Sequence, residues 1–128
     1  MDDLVPAMAY AITQDDGTYK ILVNDNYSGK IWANENMYNT FRDFKNVKLI
    51  NFFDGFDTSN VTRFDNAFMS AGSTVETFET DVSKWNVSRV IDMGNMFHST
   101  GRSATTWSIG DLSSWKTSNT TNMGAMFS

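Results

Sequence analysis

The stretch that organises this chain runs from Trp85 to Phe97 and reads WNVSRVIDMGNMF. Two further stretches align with it without gaps, FDTSNVTRFDNAF at residues 56–68 and WKTSNTTNMGAMF at residues 115–127. Their offsets from it are 29 and 30 residues, and residues 36–41 form a fourth, weaker copy. A repeat of this period indicates units that bury their apolar face only by stacking on their neighbours.

The apolar residues of each copy fall at i, i+3, i+6 and i+7, which predicts one face of a short helix. In the central copy these residues are Val90, Met93, Met96 and Phe97. A polar run such as residues 117–119 comes just before and can cap the N-terminus of that helix. Because two helical turns are not stable alone, we expect each unit to depend on stacking. Small polar side chains, Asn, Ser and Thr, can then form hydrogen bonds from one unit to the next.

Short strands are predicted upstream of each copy, at residues 52–55, 81–84 and 111–114. Nearer the N-terminus, residues 10–13 and 19–23 flank the turn sequence Asp15-Asp16-Gly17, which is typical of a β-hairpin. A further strand is predicted at residues 30–32. These elements predict an α/β fold, a single right-handed solenoid of short strands and short helices with an N-terminal β-hairpin cap.

The predicted organisation is a single domain over residues 1–128. Its parts are a leader at residues 1–8, the hairpin cap at residues 9–35, and three to four repeats at residues 36–128, the last of them uncapped.

Composition and charge exclude several classes of function. The chain has no cysteine, so a disulfide framework and a thiolate zinc site are excluded. Its net charge of −5 argues against nucleic-acid binding, which needs a basic face. No apolar run reaches the length of a membrane span, and the acidic N-terminus does not resemble a signal peptide.

One stretch resembles a calcium-binding loop without fulfilling its requirements. Residues 24–35 fit several positions of an EF-hand loop, but the first ligand position is Asn24 where a carboxylate is expected. Only Glu35 supplies a charge at the main coordinating positions, which is weak for a hard dication. A polar turn between strands is therefore favoured, and we predict no metal site and no cofactor.

Residues that could support catalysis have simpler structural explanations. His98 is the only histidine and lies at the end of a predicted helix, without an identifiable acid to complete a triad. The paired methionines of the repeats have a helical spacing that favours packing over a thioether copper site. Asp81 and Asp111 could form a carboxylate pair, as in a retaining glycosidase, but a repeated Asp beside a strand more often caps a turn. We predict no catalytic residue and no enzymatic activity.

Residues 78–97, FETDVSKWNVSRVIDMGNMF, resemble the bacterial surface-protein repeat of the BspA-like, mycoplasma-lipoprotein type. That pattern reads Phe-x-x-Asp-Ile-Ser-x-Trp-Asp-Val/Thr-Ser-Asn-Val-Thr-x-Met-x-x-Met-Phe, and residues 111–127 match it as well. The resemblance covers about residues 36–127 and implies a leucine-rich-repeat-like solenoid for adhesion or recognition, without catalysis. With four Leu, ten Phe and eight Met, the chain fills the leucine places of such repeats with Met, Phe and Trp.

Two functions follow as alternatives. The first is a recognition or adhesion module of a bacterial surface protein, which binds a host protein or a glycan. The second is a structural or receptor-binding component of a phage particle or another large assembly, favoured by the native-looking Met1 and the missing signal peptide. The expected location is the cell surface or a virion.

The last repeat is predicted to be the docking end. Without a following unit it would expose apolar surface, which tends to associate with a partner. The predicted interaction residues are Trp115, Met123, Met126 and Phe127. Expected partners are a protein or glycan ligand or neighbouring subunits, and the chain is expected to be an oligomer or a fragment of a larger one. No nucleic acid and no membrane insertion are expected.

Overall fold

The computed structural model describes residues 8–24 and 30–128. These residues form seven strands: β1 Met8–Thr13, β2 Tyr19–Asn24, β3 Ile31–Trp32, β4 Val47–Phe52, β5 Phe56–Asp57, β6 Thr77–Thr80 and β7 Thr106–Ser108. Five strands form a mixed sheet in the order β1-β2-β4-β6-β7, and β3 and β5 form a second, parallel sheet. The predicted leader, residues 1–8, lies outside the described residues except for Met8, which begins β1.

The predicted β-hairpin is confirmed. Strands β1 and β2 pair antiparallel along their whole length. The Asp16 carboxylate accepts a 3.0 Å hydrogen bond from the N–H of Thr18, which closes the turn. Gly17 has a φ of 83°, in the left-handed region that glycine adopts without strain. Since β2 then pairs parallel with β4, strand β1 forms one edge of the sheet.

Once per repeat, the backbone pairs with the equivalent residue of the neighbouring repeat. Parallel bridges join Asn36 to Arg63, Arg63 to Asp92, and Asp92 to Asn122, which confirms the repeat alignment. On the sheet side, β2, β4, β6 and β7 follow one another in the same order. We describe four repeat units: unit 1, residues 19–24 and 30–43; unit 2, residues 47–70; unit 3, residues 77–99; and unit 4, residues 106–128. The residues that follow each bridge form its turn row: 37–43, 64–70, 93–99 and 123–128.

The predicted α/β fold, a right-handed, leucine-rich-repeat-like solenoid of short strands and short helices, is wrong. The described residues contain no helix, and the stretches expected to be helical form successive turns. Each turn row contains a residue with φ between 53° and 60°, which a right-handed helix does not allow: Asn39, Asn66, Asn95 and Ala125. Backbone N–H groups that a helix would use internally donate to the next unit instead.

The spacing of the apolar residues in each repeat nevertheless predicts correctly which side chains are buried. Val90, Met93 and Met96 are fully buried, and Phe97 is nearly so. The turns that replace the helix bury positions three residues apart, as when the N–H of Met96 donates to the carbonyl of Met93 at 3.1 Å. A succession of such turns and a short helix therefore produce almost the same pattern in the sequence.

The strands predicted upstream of each copy are also misplaced. Residues 81–84 and 111–114 form turns in which the carboxylates of Asp81 and Asp111 accept 2.9 Å hydrogen bonds from the N–H groups of Ser83 and Ser113. An Asp that bonds to the backbone locally competes with strand pairing. The strands β4, β6 and β7 lie further upstream, and of residues 52–55 only Phe52 is in a strand.

The core combines side chains from the sheet, such as Ile50 and Phe78, with side chains from the turn rows. One position of the turn rows is always phenylalanine, and its rings stack from unit to unit. The centroid distances are 5.2 Å for Phe41–Phe68, 5.2 Å for Phe68–Phe97 and 5.6 Å for Phe97–Phe127. Phe and Met therefore supply the core together with Val and Ile, in a chain that is poor in Leu.

Threonine hydroxyl groups join neighbouring units, as the abundance of small polar residues predicts. Each hydroxyl donates to a backbone carbonyl of the adjacent unit at 2.7 to 3.0 Å: Thr58 to Asn86, Thr80 to Ile50, and Thr120 to Val90. Buried hydroxyl groups are thereby paired, so they stabilise the stack without leaving polar atoms unsatisfied.

Candidate docking surface

The four residues predicted to dock a partner all lie in unit 4, where the structure divides them into two pairs. Met126 is buried, and Trp115 is half-buried with its indole N–H donating to the carbonyl of Val82 at 3.0 Å. Met123 and Phe127 are 43% and 59% exposed. The structure therefore places Met123 and Phe127 at the surface, while Trp115 and Met126 hold unit 4 against unit 3.

A row of backbone donors lies beside these exposed side chains. Unit 2 donates to unit 3 at 2.9 Å through the N–H groups of Phe64, Asn66 and Phe68. Unit 3 donates to unit 4 at 2.8 to 2.9 Å through Met93, Asn95 and Phe97. In unit 4 the equivalent N–H groups, those of Met123, Ala125 and Phe127, have no acceptor among residues 8–24 and 30–128. We call these donors, with the side chains of Met123 and Phe127, the open edge.

Alternate peptide groups of the turn rows point toward the next unit, and the peptide groups between them form hydrogen bonds within their own unit. The carbonyl of Asn122 accepts the N–H of Met93, and the same peptide presents the N–H of Met123 outward. This arrangement is repeated at every junction, so hydrogen-bonded columns of peptides run through all four units. Aligned peptide dipoles add, as they do in a helix, and leave partial positive charge where the N–H groups emerge. The open edge is the positive end of these columns.

Trp107 borders the open edge, and the sequence interpretation missed it. In the loop that follows unit 2, the carbonyl of Ala71 accepts the N–H of Gly101, from the loop that follows unit 3, at 2.8 Å. The equivalent carbonyl, that of Thr100, accepts the indole N–H of Trp107 at 2.9 Å. The indole therefore replaces the donor of a following unit. The alignment of Trp107 with Phe78, 29 residues earlier, was a signal that could have identified this position.

An open groove of about 750 Å³ lies between Trp107 and the open edge. It is lined by Phe97, Ser99, Thr100, Arg102, Trp107 and Phe127, among others. Trp107 is 40% exposed, so the groove presents aromatic surface on two sides.

His98 has a structural contact beside this groove. Its Nδ1 lies 2.7 Å from the hydroxyl oxygen of Ser128, which joins unit 3 to unit 4. The helix end at which it was expected does not exist.

The remaining candidate sites have packing or turn-forming roles. Met93 and Met96 are fully buried in the core. Hydrogen bonds from Ser83 lower the pKa of Asp81, and hydrogen bonds from Ser113 lower that of Asp111. A general acid needs a raised pKa, so these environments do not suit that role.

The described ranges contain no group of three or more His, Cys, Asp or Glu side chains that could hold a metal ion. Residues 25–29 of the EF-hand-like stretch lie outside the described residues. Within residues 8–24 and 30–128, no helix is long and apolar enough to cross a membrane.

Residues 35–128 match the model of a family described as "Mycoplasma protein of unknown function, DUF285". The match includes all four turn rows and the open edge. No curated protein and no solved structure matches the chain.

Proposed function

The chain belongs to this family, DUF285, and from that premise we propose that it is a non-catalytic recognition and adhesion module of a bacterial surface-type protein. We propose further that its repeats are of the BspA-like kind and that the module acts at the cell surface. Its ligand binds at the open edge of unit 4, and we propose that this ligand is a protein.

The open edge is the observation that carries this proposal. It combines three backbone donors that have no acceptor in the described part of the chain with two large exposed apolar side chains, those of Met123 and Phe127. Backbone donors give a bound chain its affinity, and apolar side chains beside them give specificity. A protein partner satisfies both, because it can offer a row of carbonyl oxygens together with side chains.

The environments of the candidate catalytic groups support a binding role. His98 is engaged with Ser128, and the pKa values of Asp81 and Asp111 are lowered by serine hydrogen bonds. These groups stabilise turns and junctions between units, which is the work of a scaffold.

Site-specific photo-crosslinking in the cells that make the protein tests the proposal. A benzophenone amino acid is introduced at Phe127 and, in a matched control, at Ile91, which is 51% exposed but belongs to unit 3. We expect protein adducts from position 127 and few from position 91. Adducts with a surface protein would support the surface module, whereas adducts with virion proteins would favour a phage component. Equal labelling at both positions would contradict a partner at the open edge.

A further inference from the structure

The sequence contains the dipeptide Asp-Gly twice, as Asp16-Gly17 in the hairpin turn and as Asp54-Gly55 between β4 and β5. Aspartate isomerises most readily before glycine, because glycine has no side chain to hinder attack by its backbone nitrogen. We infer that Asp54 is a site of spontaneous isomerisation to isoaspartate, whereas the fold protects the same dipeptide at Asp16. This inference does not depend on the proposed recognition function.

The reaction consumes only water that it has itself released. The backbone nitrogen of Gly55 attacks the side-chain carboxyl carbon of Asp54 in its neutral form and gives up its proton. A C–N bond forms, a C–O bond breaks, and one water leaves, so that a five-membered succinimide ring closes. Water then opens the ring at either carbonyl carbon. Opening at the backbone carbonyl leaves the chain running through the side chain, so isoaspartate has one more main-chain carbon and an unchanged mass and charge.

Both reacting groups are available at Asp54-Gly55. The side chain of Asp54 is 90% exposed, and its polar contact within the described residues is with the Nζ of Lys84 at 3.3 Å. Lys84 is itself 81% exposed, and an ion pair in such surroundings restrains a side chain weakly. The N–H of Gly55 donates to no acceptor among residues 8–24 and 30–128. The carboxyl group can therefore rotate toward this nitrogen without breaking a strong contact.

Both reacting groups are held at Asp16-Gly17. The carboxylate of Asp16 accepts hydrogen bonds from the N–H of Thr18 at 3.0 Å and from its hydroxyl at 2.6 Å. The N–H of Gly17 donates to the carbonyl of Gln14 at 3.2 Å. The bonds from Thr18 also lower the pKa of Asp16, which reduces the neutral form that can lose water. Succinimide closure at this turn therefore requires that several hydrogen bonds break first.

Isomerisation at Asp54 would disturb the contact between units 1 and 2. In the turn that follows β4, the N–H of Phe56 donates to the carbonyl of Phe53 at 3.0 Å. The carbonyl of Gly55 accepts the N–H of Ile31, in unit 1, at 2.9 Å. Ile31 and Phe56 are also partners in the sheet of β3 and β5. One additional main-chain carbon before Gly55 displaces these groups, so the junction between β3 and β5 should loosen while units 3 and 4 stay in place.

The test is to incubate the full chain at physiological temperature and neutral pH and to withdraw samples over several weeks. Peptide mapping with electron-transfer fragmentation distinguishes isoaspartate from aspartate at each position. We expect isoaspartate to accumulate at position 54 at least about tenfold faster than at position 16. The chain unfolded in urea is the matched control, and there we expect the two rates to approach each other. Gly55→Ala should slow the reaction at position 54 and leave position 16 unchanged.

Amide hydrogen exchange of the separated isomer tests the structural consequence. We expect faster exchange at Ile31 and Phe56 in the isoaspartate form, with exchange at Phe97 in unit 3 unchanged. Equal or greater isomerisation at position 16 in the folded chain would overturn the inference. So would a folded chain that stays unmodified at position 54 while the urea-unfolded chain reacts there, because the fold would then protect both sites. Unchanged exchange at Ile31 and Phe56 would refute the loosening of the junction.

Discussion

Phe97 and Phe127 lie ring on ring, with 5.6 Å between their centroids and 7° between their planes. Phe97 is 2% exposed and Phe127 is 59% exposed. The same residue in the same repeat position is therefore core in unit 3 and surface in unit 4.

This difference predicts unequal costs of truncation. Phe97→Ala removes a ring packed on both sides and should lower the free energy of unfolding by about 3–5 kcal/mol. Phe127→Ala should cost less than about 1.5 kcal/mol, because most of that ring is already in water. Urea unfolding followed by tryptophan fluorescence measures both values. Equal losses would show that the two rings have equivalent environments.

A second prediction concerns the turn-row residues whose backbone lies in the left-handed region. Asn95 has a φ of 56° and Ala125 a φ of 53°, a region in which alanine is strained. Asn95→Ala should destabilise the protein by about 1 kcal/mol, and Ala125→Asn should stabilise it by up to about 1 kcal/mol. Thermal unfolding of the two variants provides the comparison. A loss of stability in Ala125→Asn would contradict the role of φ at this position.

Alanine substitutions at Gly17 and Gly72 distinguish the cost of backbone strain from the cost of a steric clash. Both have positive φ, 61° and 83°, but a Cβ at Gly17 would meet open space. A Cβ at Gly72 would collide with the ring of Phe78 and lie 2.9 Å from the carbonyl oxygen of Val47. Gly17→Ala should cost about 1 kcal/mol from strain alone, and Gly72→Ala about 3 kcal/mol or more. Chemical denaturation of both variants decides whether the clash adds to the strain.

The serine-bonded carboxylates predict the acid sensitivity of the fold. Hydrogen bonds from Ser59, Ser83 and Ser113 lower the pKa of Asp57, Asp81 and Asp111 below the usual 3.8. A lowered folded-state pKa means that these carboxylates stabilise the fold above the unfolded pKa. That contribution is lost as the pH falls through the folded value. Stability should therefore be level at neutral pH and decline below about pH 4.

The triple variant Asp57→Asn, Asp81→Asn, Asp111→Asn should show a shallower decline, because an amide does not titrate. Asp15→Asn is the control, since Asp15 makes no hydrogen bond or ion pair within the described residues. Unfolding midpoints between pH 2 and pH 7 provide the measurement. An unchanged slope in the triple variant would place the acid sensitivity elsewhere.

The sequence predicted those features that depend on short-range chemistry or on direct alignment. Asp16 and Gly17 specify the hairpin turn by themselves, and the recurring phenylalanine fixed the register that joins Arg63 to Asp92. The helices were predicted wrongly because apolar residues three and four apart fit a helix and a succession of turns equally well. What separates the two is the conformation of Asn95 and its equivalents, which is set by hydrogen bonds between units.

The docking end was predicted from its place in the last repeat, and it stays a prediction; the burial of its residues and its row of backbone donors were not visible in the sequence. All four residues were chosen from their place in the last repeat, and of these Met123 and Phe127 are exposed, Trp115 is half-buried and Met126 is buried. The donor row follows from the orientation of peptide groups across junctions, which the sequence does not encode locally. Trp107 was missed because its partner, the carbonyl of Thr100, is reached through the folded loop and not through a motif.

Strand β1 runs against the direction of its neighbour β2, whereas every other neighbouring pair in the described sheets is parallel. A duplicated unit could be accommodated between two existing units or beyond unit 4, where parallel neighbours are the rule. A unit added outside β1 would lie beside a strand that runs opposite to the strands of the other units. The parallel pairing that a further repeat unit needs is therefore available on the β2 side of the hairpin and not outside β1, so the hairpin gives the array of units one direction of growth.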